Sequence, residues 1–214
     1  MSSISGIFIR LVIFYPPLLE SWLFKKFMQL PFQFLAGRVD FDGIISQEED
    51  YLLPLKKGTE SYQKISPENP GRILDLGTGT GVVPLYLRDI FPGADIIGLD
   101  AAEDMLKTAR KKADEAEVES MDFIKGNIYD LPFPEDTFDL ITASNAPFSL
   151  TGIKSSLKDD GHLLITLSHF GSQLHKKEAK LQSSLNKYGF ELIEVKSFAE
   201  NGTFMIISPL EETV

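Results

Sequence analysis

The nine residues Ile73 to Gly81, ILDLGTGTG, constrain this chain more than any other stretch. A short apolar run that reads as a buried strand gives way to Gly77, Gly79 and Gly81, and these lead into VVPLYLRDI, which reads as a helix. Glycines at alternate positions let backbone approach a ligand closely and leave amide groups exposed at a helix N-terminus. Loops of this kind serve several nucleotide-binding families, and spacing narrows the choice. A dinucleotide loop carries G-x-G-x-x-G, whereas here the third glycine arrives one residue early and is followed by Val82 and Val83. A phosphate-binding P-loop requires Gly-Lys-Ser or Gly-Lys-Thr, which this segment lacks.

Beyond the loop, strand and helix patterns alternate. Strands are expected at residues 72–76, 95–99, 121–125, 138–143 and 162–168, and helices at 82–90, 102–115, 147–157 and 173–188. Two last apolar runs, 190–197 and 203–208, are joined by Glu200-Asn201-Gly202. Alternation predicts an α/β domain with a mostly parallel sheet covered on both faces, and the Glu-Asn-Gly connection predicts an antiparallel C-terminal hairpin. The second strand ends at Asp100, 19 residues after Gly81. A carboxylate there can accept hydrogen bonds from both hydroxyls of a ribose, and it can also cap the helix that follows; the two roles are compatible.

The 214 residues fit this domain, taken as 71–214, with an extension over 1–70. The chain has no cysteine, which excludes disulfides, thiolate metal sites and cysteine nucleophiles, and no metal site is expected. A net charge of −10 without a basic patch argues against a nucleic-acid partner. Residues 1–40 differ from the rest in being net positive and rich in aromatics. Arg10, Pro16, Pro17, Glu20, Lys25 and Lys26 interrupt their apolar run, so it does not suit a spanning helix, and it lacks the flanks of a secretory signal. It reads as two short amphipathic helices, with Leu19, Leu23, Phe27 and Leu30 sharing a face. Packing on the sheet, a lid over an apolar substrate, and peripheral membrane contact through residues 1–35 all remain open. Residues 41–71 read as a polar helix or two, and the expected location is cytoplasmic, with membrane-peripheral attachment as the variant.

Several motifs, in order, resemble those of class I S-adenosylmethionine-dependent methyltransferases: ILDLGTGTG, then IIGLDAAEDML, then DFIKGNIYDLPFPEDTFDLITASNA, then LKDDGHLLI. Leu131-Pro132-Phe133-Pro134 followed by Phe138-Asp139-Leu140 is most similar to the branch that methylates small molecules, including quinone precursors. The resemblance implies a Rossmann-like seven-stranded sheet with its last strand antiparallel, and S-adenosyl-L-methionine as cofactor. It further implies that Gly77, Thr78, Gly79 and Gly81 wrap the methionine part, with Asp75 near its ammonium group and Asp100 on the ribose. Asn127 stands where the family commonly has an aspartate for the adenine amino group, and the amide of Ile128 can serve a ring nitrogen. Ala101, Met105, Leu131 and Ser144 complete the expected lining.

Methyl transfer from a sulfonium is chiefly a matter of alignment in a dry pocket. A general base is needed only for a hydroxyl, an acidic carbon or a protonated amine, and it must lie at the C-terminal ends of the strands. His169 meets that condition; His162 begins the same strand and lies at the opposite edge, and His175 falls in a helix. Ser144-Asn145-Ala146-Pro147-Phe148 partly resembles the Asn-Pro-Pro-Tyr signature of amino methyltransferases, which makes Asn145 a second catalytic candidate. The expected acceptor is a small apolar molecule such as a quinone, lipid or aromatic metabolite. Methylation of a protein or peptide side chain is the alternative, as is a non-catalytic domain that works through partners; oligomeric state is left open.

Overall fold

The computed structural model describes residues 51–168, 174–198 and 202–210. The elements in order are α1 (Leu53–Ile65), β1 (Arg72–Leu76), α2 (Val82–Ile90), β2 (Asp95–Asp100), α3 (Glu103–Glu115), β3 (Met121–Lys125), β4 (Phe138–Ser144), α4 (Leu150–Ser156), β5 (Leu157–Leu167), a 3-10 turn (Leu174–Lys177), α5 (Glu178–Asn186), β6 (Phe190–Ser197) and β7 (Thr203–Pro209). The seven strands form one sheet in the order β3-β2-β1-β4-β5-β7-β6. Pairings from β3 to β5 are parallel, while β7 runs antiparallel to both β5 and β6. The expected Rossmann-like sheet and its antiparallel C-terminal hairpin are therefore present, with β7 as the one strand reversed.

Strand alternation sorts the core into two layers. Ile73, Ile96, Leu140, Leu164, Phe204 and Ile206 face one way and pack with Leu55 and Tyr62 of α1 and Val83 and Leu87 of α2. Their neighbours Leu74, Ile97, Ile141, Leu163, Met205 and Ile207 face the other way, against Leu150 and Ile153 of α4 and Leu181 and Leu185 of α5. Residues of both sets are almost wholly excluded from solvent, as a sheet covered on both faces requires. On α3, Leu106, Ala109 and Ala113 pack with Phe123 of β3.

The polar helix expected within 41–71 is α1, with Pro54 in its first turn, where a missing N–H costs nothing. It is a layer of the sheet: a Cβ at Gly58 would lie 2.7 Å from Leu164 Cδ1 and 3.3 Å from Phe204 Cβ, so glycine permits the close approach. Three boundaries differ from the expectation. Helix α4 starts at Leu150, after Ser149, whose side chain accepts from Gly152 N; Pro147 and Phe148 remain outside it. Strand β5 starts at Leu157 instead of residue 162, because Leu157 pairs with Phe138 before a register shift. The helix expected at 173–188 is a 3-10 turn followed by α5, which ends at Asn186. Among the described residues, no helix is long and apolar enough to cross a membrane. Residues 1–50, including the stretch read as amphipathic helices, lie outside the described residues.

Candidate functional site

A cleft opens at the C-terminal ends of β1, β2 and β4, where strand order reverses between β2-β1 and β4 and where open α/β sheets place their ligands. The first turn after β1 forms its floor. Gly77 and Gly79 both have positive φ, +67° and +54°, which a residue with a side chain adopts only at a cost. At Gly77 space is also short, since a Cβ would lie 2.6 Å from that of Ala146.

The loop's amides are not exposed, contrary to the expectation from glycine spacing. Gly77 N and Thr78 N donate to Leu99 O at 2.8 and 3.1 Å, Gly79 N donates to Asp100 Oδ2 at 2.9 Å, and Gly81 N donates to Thr78 O at 3.0 Å. Four donors that would cradle a phosphate are thus satisfied within the protein. What remains near the loop is carboxylate: Asp75 in the strand beneath it and Asp100 at its side. This chemistry suits a ligand with positive charge better than one with phosphates.

Asp75 is buried, 1% exposed, in the middle of the sheet. Its Oδ1 accepts from Thr142 Oγ1 at 2.7 Å on β4, the strand beside it. Its Oδ2 and the hydroxyl oxygen of Thr78 above it are both buried without a hydrogen-bond partner among the described residues. Burial pushes the Asp75 carboxyl up to about 7, against the lowering effect of the hydrogen bond from Thr142, and the charge of Asp100 raises it further. A carboxylate so poised gains from a cation or donor nearby.

Asp100 holds two backbone amides at once, Gly79 N through Oδ2 and Ala102 N, 2.8 Å away, through Oδ1. It does not cap α3, whose N-cap is Ala102; it closes a tight turn before the helix and ties the glycine loop to β2. Each oxygen keeps a lone pair for a further donor from the cleft, which Asp100 lines. Asn127 also lines it, with Oδ1 fixed by Tyr129 N at 3.0 Å.

Nine of the twelve cofactor residues expected from sequence line this one cleft: Gly77, Thr78, Gly79, Asp100, Ala101, Met105, Asn127, Ile128 and Ser144. Asp75 lies beneath the floor, and Gly81 sits away from the cleft, where a Cβ would meet Ala109 at 2.9 Å, so its glycine serves the packing of α2 on α3. Leu131 packs on the hydrophobic core. Asn145 lines the cleft, but its carboxamide is engaged by the protein: Nδ2 donates to Tyr51 Oη at 3.1 Å and Ser168 Oγ at 3.0 Å, and Oδ1 accepts from Ser168 N at 2.8 Å. His169 lies outside the described residues. His162 packs edge-on against Tyr62 near the other end of the strands, and burial lowers its pKa. Sequence reasoning missed Tyr51 and Leu52, which precede α1, and the wall formed by Ala146 and Pro147.

This sheet order, with a reversed seventh strand and a short glycine loop flanked by acids at the ends of the first two strands, is the arrangement that the motif resemblance to class I S-adenosylmethionine-dependent methyltransferases implies. Residues 73–159 match the methyltransferase domain family, in agreement with the resemblance of the motifs. Demethylmenaquinone methyltransferase of Thermus thermophilus is 45% identical over 73 residues, 34% of this chain and 33% of that protein. Its counterpart from Listeria welshimeri is 32% identical over 93 residues, 43% of this chain and 39% of that one. The matched part therefore spans between a third and two fifths of these relatives' length. A S-adenosylmethionine-dependent methyltransferase from Aquifex aeolicus shares the fold, with a TM-score of 0.62 at 18% identity over 79% of this chain and 98% of its own.

The residues present fit the cofactor that this domain implies. The buried, unpartnered oxygen of Asp75 answers an ammonium group, the lone pairs of Asp100 answer a pair of hydroxyls, and Asn127 with the backbone at Ile128 answers a purine edge.

Proposed function

We propose that this protein transfers a methyl group from S-adenosylmethionine to a small, apolar acceptor, with an electron-rich ring of the quinol type as the foremost class. One observation carries this reading: a single cleft joins the glycine loop, Asp100 and Asn127 to an apolar wall that includes Leu52, Val82, Met105 and Pro147. The names of the curated relatives, demethylmenaquinone methyltransferases, support the choice of ring.

When bound, S-adenosylmethionine supplies a methyl group on a cationic sulfur, so that the acceptor's electron pair forms the new bond to carbon while the carbon–sulfur pair stays on sulfur. The chain's task is alignment and exclusion of water. Gly77 and Gly79 let the loop lie close against the cofactor, Asp100 holds that loop in place, and the apolar wall keeps the reacting atoms dry. Among the described lining residues the ionisable side chains are Tyr51, Asp100 and Tyr129, and Asp100 is occupied with two amides. A quinol suits such a site, because its ring is nucleophilic without help from a strong base, and its hydroxyl proton can leave to solvent.

Thermal melting with S-adenosylmethionine, S-adenosylhomocysteine and NAD, followed by transfer of labelled methyl to 1,4-dihydroxynaphthalene and to a peptide pool, tests the reading. Stabilisation by the two sulfur compounds alone and labelling of the naphthalene diol are expected. Stabilisation by NAD alone overturns the cofactor assignment. Labelling of peptides alone overturns the acceptor class, and binding without labelling of either favours a domain that works through partner contacts.

A further inference from the structure

Three hydrogen-bonding residues that the cofactor reading does not use meet at one rim of the cleft. Asn145 follows the last residue of β4 and has a left-handed backbone, φ +51°, which among residues with a side chain asparagine tolerates best. Ser168, 3% exposed, follows β5. Tyr51 is the first described residue and leads into α1. The Asn145 carboxamide donates to Tyr51 Oη and Ser168 Oγ and accepts from Ser168 N; Ser168 Oγ in turn donates to the Tyr51 carbonyl at 2.5 Å. The Asn145 amide itself donates to Thr166 O at 2.9 Å. The next residue, Ala146, is the one that presses on Gly77 of the cofactor loop.

Resting on the methyltransferase reading, we propose that Asn145 is a positioning residue, which fixes Tyr51 as the acceptor-side wall of the cleft and ties the approach to α1 to the ends of β4 and β5. The carboxamide is spent on this junction, with both hydrogens and the oxygen engaged, so its role is to hold Tyr51 and not to grip a target nitrogen. The ends of β4 and β5, already neighbours in the sheet, and the approach to α1 are joined by this side chain together with the Ser168–Tyr51 hydrogen bond. A left-handed residue at this point aims the carboxamide across the strand ends, and conformational strain kept at a functional site is consistent with a positioning task. Tyr51 and Leu52 both line the cleft, so loosening the junction enlarges the acceptor side without touching Asp75, Asp100 or Asn127.

The test uses the full chain and its variants Asn145→Gly, Tyr51→Phe and the two combined. Asn145→Gly keeps access to the left-handed backbone and removes the carboxamide together with its methylene. Hydrogen exchange over residues 51–57 should quicken about tenfold in Asn145→Gly and less in Tyr51→Phe. The double variant should be no worse than Asn145→Gly alone, because both remove the same junction. Affinity for S-adenosylhomocysteine, measured by calorimetry, should stay within about threefold of the parent. In turnover of 1,4-dihydroxynaphthalene, Asn145→Gly should raise KM for the diol about tenfold and leave KM for the methyl donor unchanged. Unchanged exchange in Asn145→Gly, strictly additive effects in the double variant, or a defect confined to the donor's KM overturns the proposal. A parent protein that fails to bind S-adenosylhomocysteine or to methylate the diol overturns the preceding reading instead, and the exchange comparison then decides the role of Asn145 by itself.

Discussion

The Thr78 hydroxyl lies over the α-carbon of Gly98, so close that a Cβ at Gly98 would come within 2.7 Å of its oxygen. Gly98 is the β2 partner of Asp75, and the same Cβ would stand 2.8 Å from Phe123 Cδ1 on β3. The cofactor loop is thus seated on a gap in β2, and the loop's own glycines are only part of what shapes it. Gly98→Ala should lift Thr78 and crowd Phe123, lowering stability by about 1–3 kcal/mol as overpacked cores do. Affinity for S-adenosylhomocysteine should fall about tenfold. Denaturant unfolding and calorimetry check both, and unchanged affinity would show that Thr78 is not seated by this contact.

Asp100 joins two backbone amides that no other side chain reaches in the described structure, Gly79 N and Ala102 N. Asp100→Ala should leave both unsatisfied, costing about 1–3 kcal/mol of stability, and should weaken S-adenosylhomocysteine at least a hundredfold, since loop and ribose contacts are lost together. Asp100→Asn retains one acceptor oxygen and should fall between. A folded Asp100→Ala protein with parental affinity, measured by calorimetry, would refute the ribose assignment.

Gly77 and Gly79 look alike in sequence and differ in surroundings. A Cβ at Gly77 would meet that of Ala146 at 2.6 Å, whereas nothing stands closer than 4.0 Å to one at Gly79. Gly79→Ala should therefore cost only the backbone preference, roughly 1–2 kcal/mol, while Gly77→Ala should cost more. Adding Ala146→Gly should recover part of the loss in Gly77→Ala and none in Gly79→Ala. Thermal melting of the four proteins distinguishes a clash from a purely conformational penalty.

The extent to which these features are legible in the sequence follows from how local their causes are. Strands β1 to β4 are short segments rich in apolar residues between helical or turn-forming stretches, and Gly77 and Gly79 declare a left-handed backbone by their identity, so the loop and the sheet can both be read. The start of β5 cannot, because Lys158-Asp159-Asp160-Gly161 has the composition of a turn; pairing of Leu157 with Phe138 on β4 draws it into the sheet. The same limit applies to the site. Asp100 announces itself at the end of a strand after a glycine loop, but Tyr51 reaches the cleft through Asn145, 94 positions further on, and nothing near Tyr51 encodes that contact. The satisfied amides of Gly77, Thr78 and Gly79 are equally hidden, since their acceptors Leu99 and Asp100 belong to the neighbouring strand.

Asp75 makes a prediction about pH whose sign can be worked out. Its carboxyl is raised from the ordinary 3.8 to about 7, with burial as the main cause. Between those values the folded protein holds a proton that the unfolded chain has released, so stability from this group is fully present below about 4 and is lost as pH rises to 7. Asp75→Asn keeps the shape and removes the ionisation. It should therefore stabilise the ligand-free protein at pH 8, by an amount on the order of a few kcal/mol, and change little at pH 4. Ligand binding should run the other way. An ammonium group beside the free oxygen favours the ionised carboxylate, so affinity for S-adenosylhomocysteine should climb up to about tenfold per unit as pH rises from 5 to 7 and then level off. Binding should take up the accompanying change as a released proton, visible as a dependence of the calorimetric heat on the ionisation enthalpy of the buffer. Asp75→Asn should abolish the slope and the buffer dependence together; a slope that survives the substitution would assign the titration to another group.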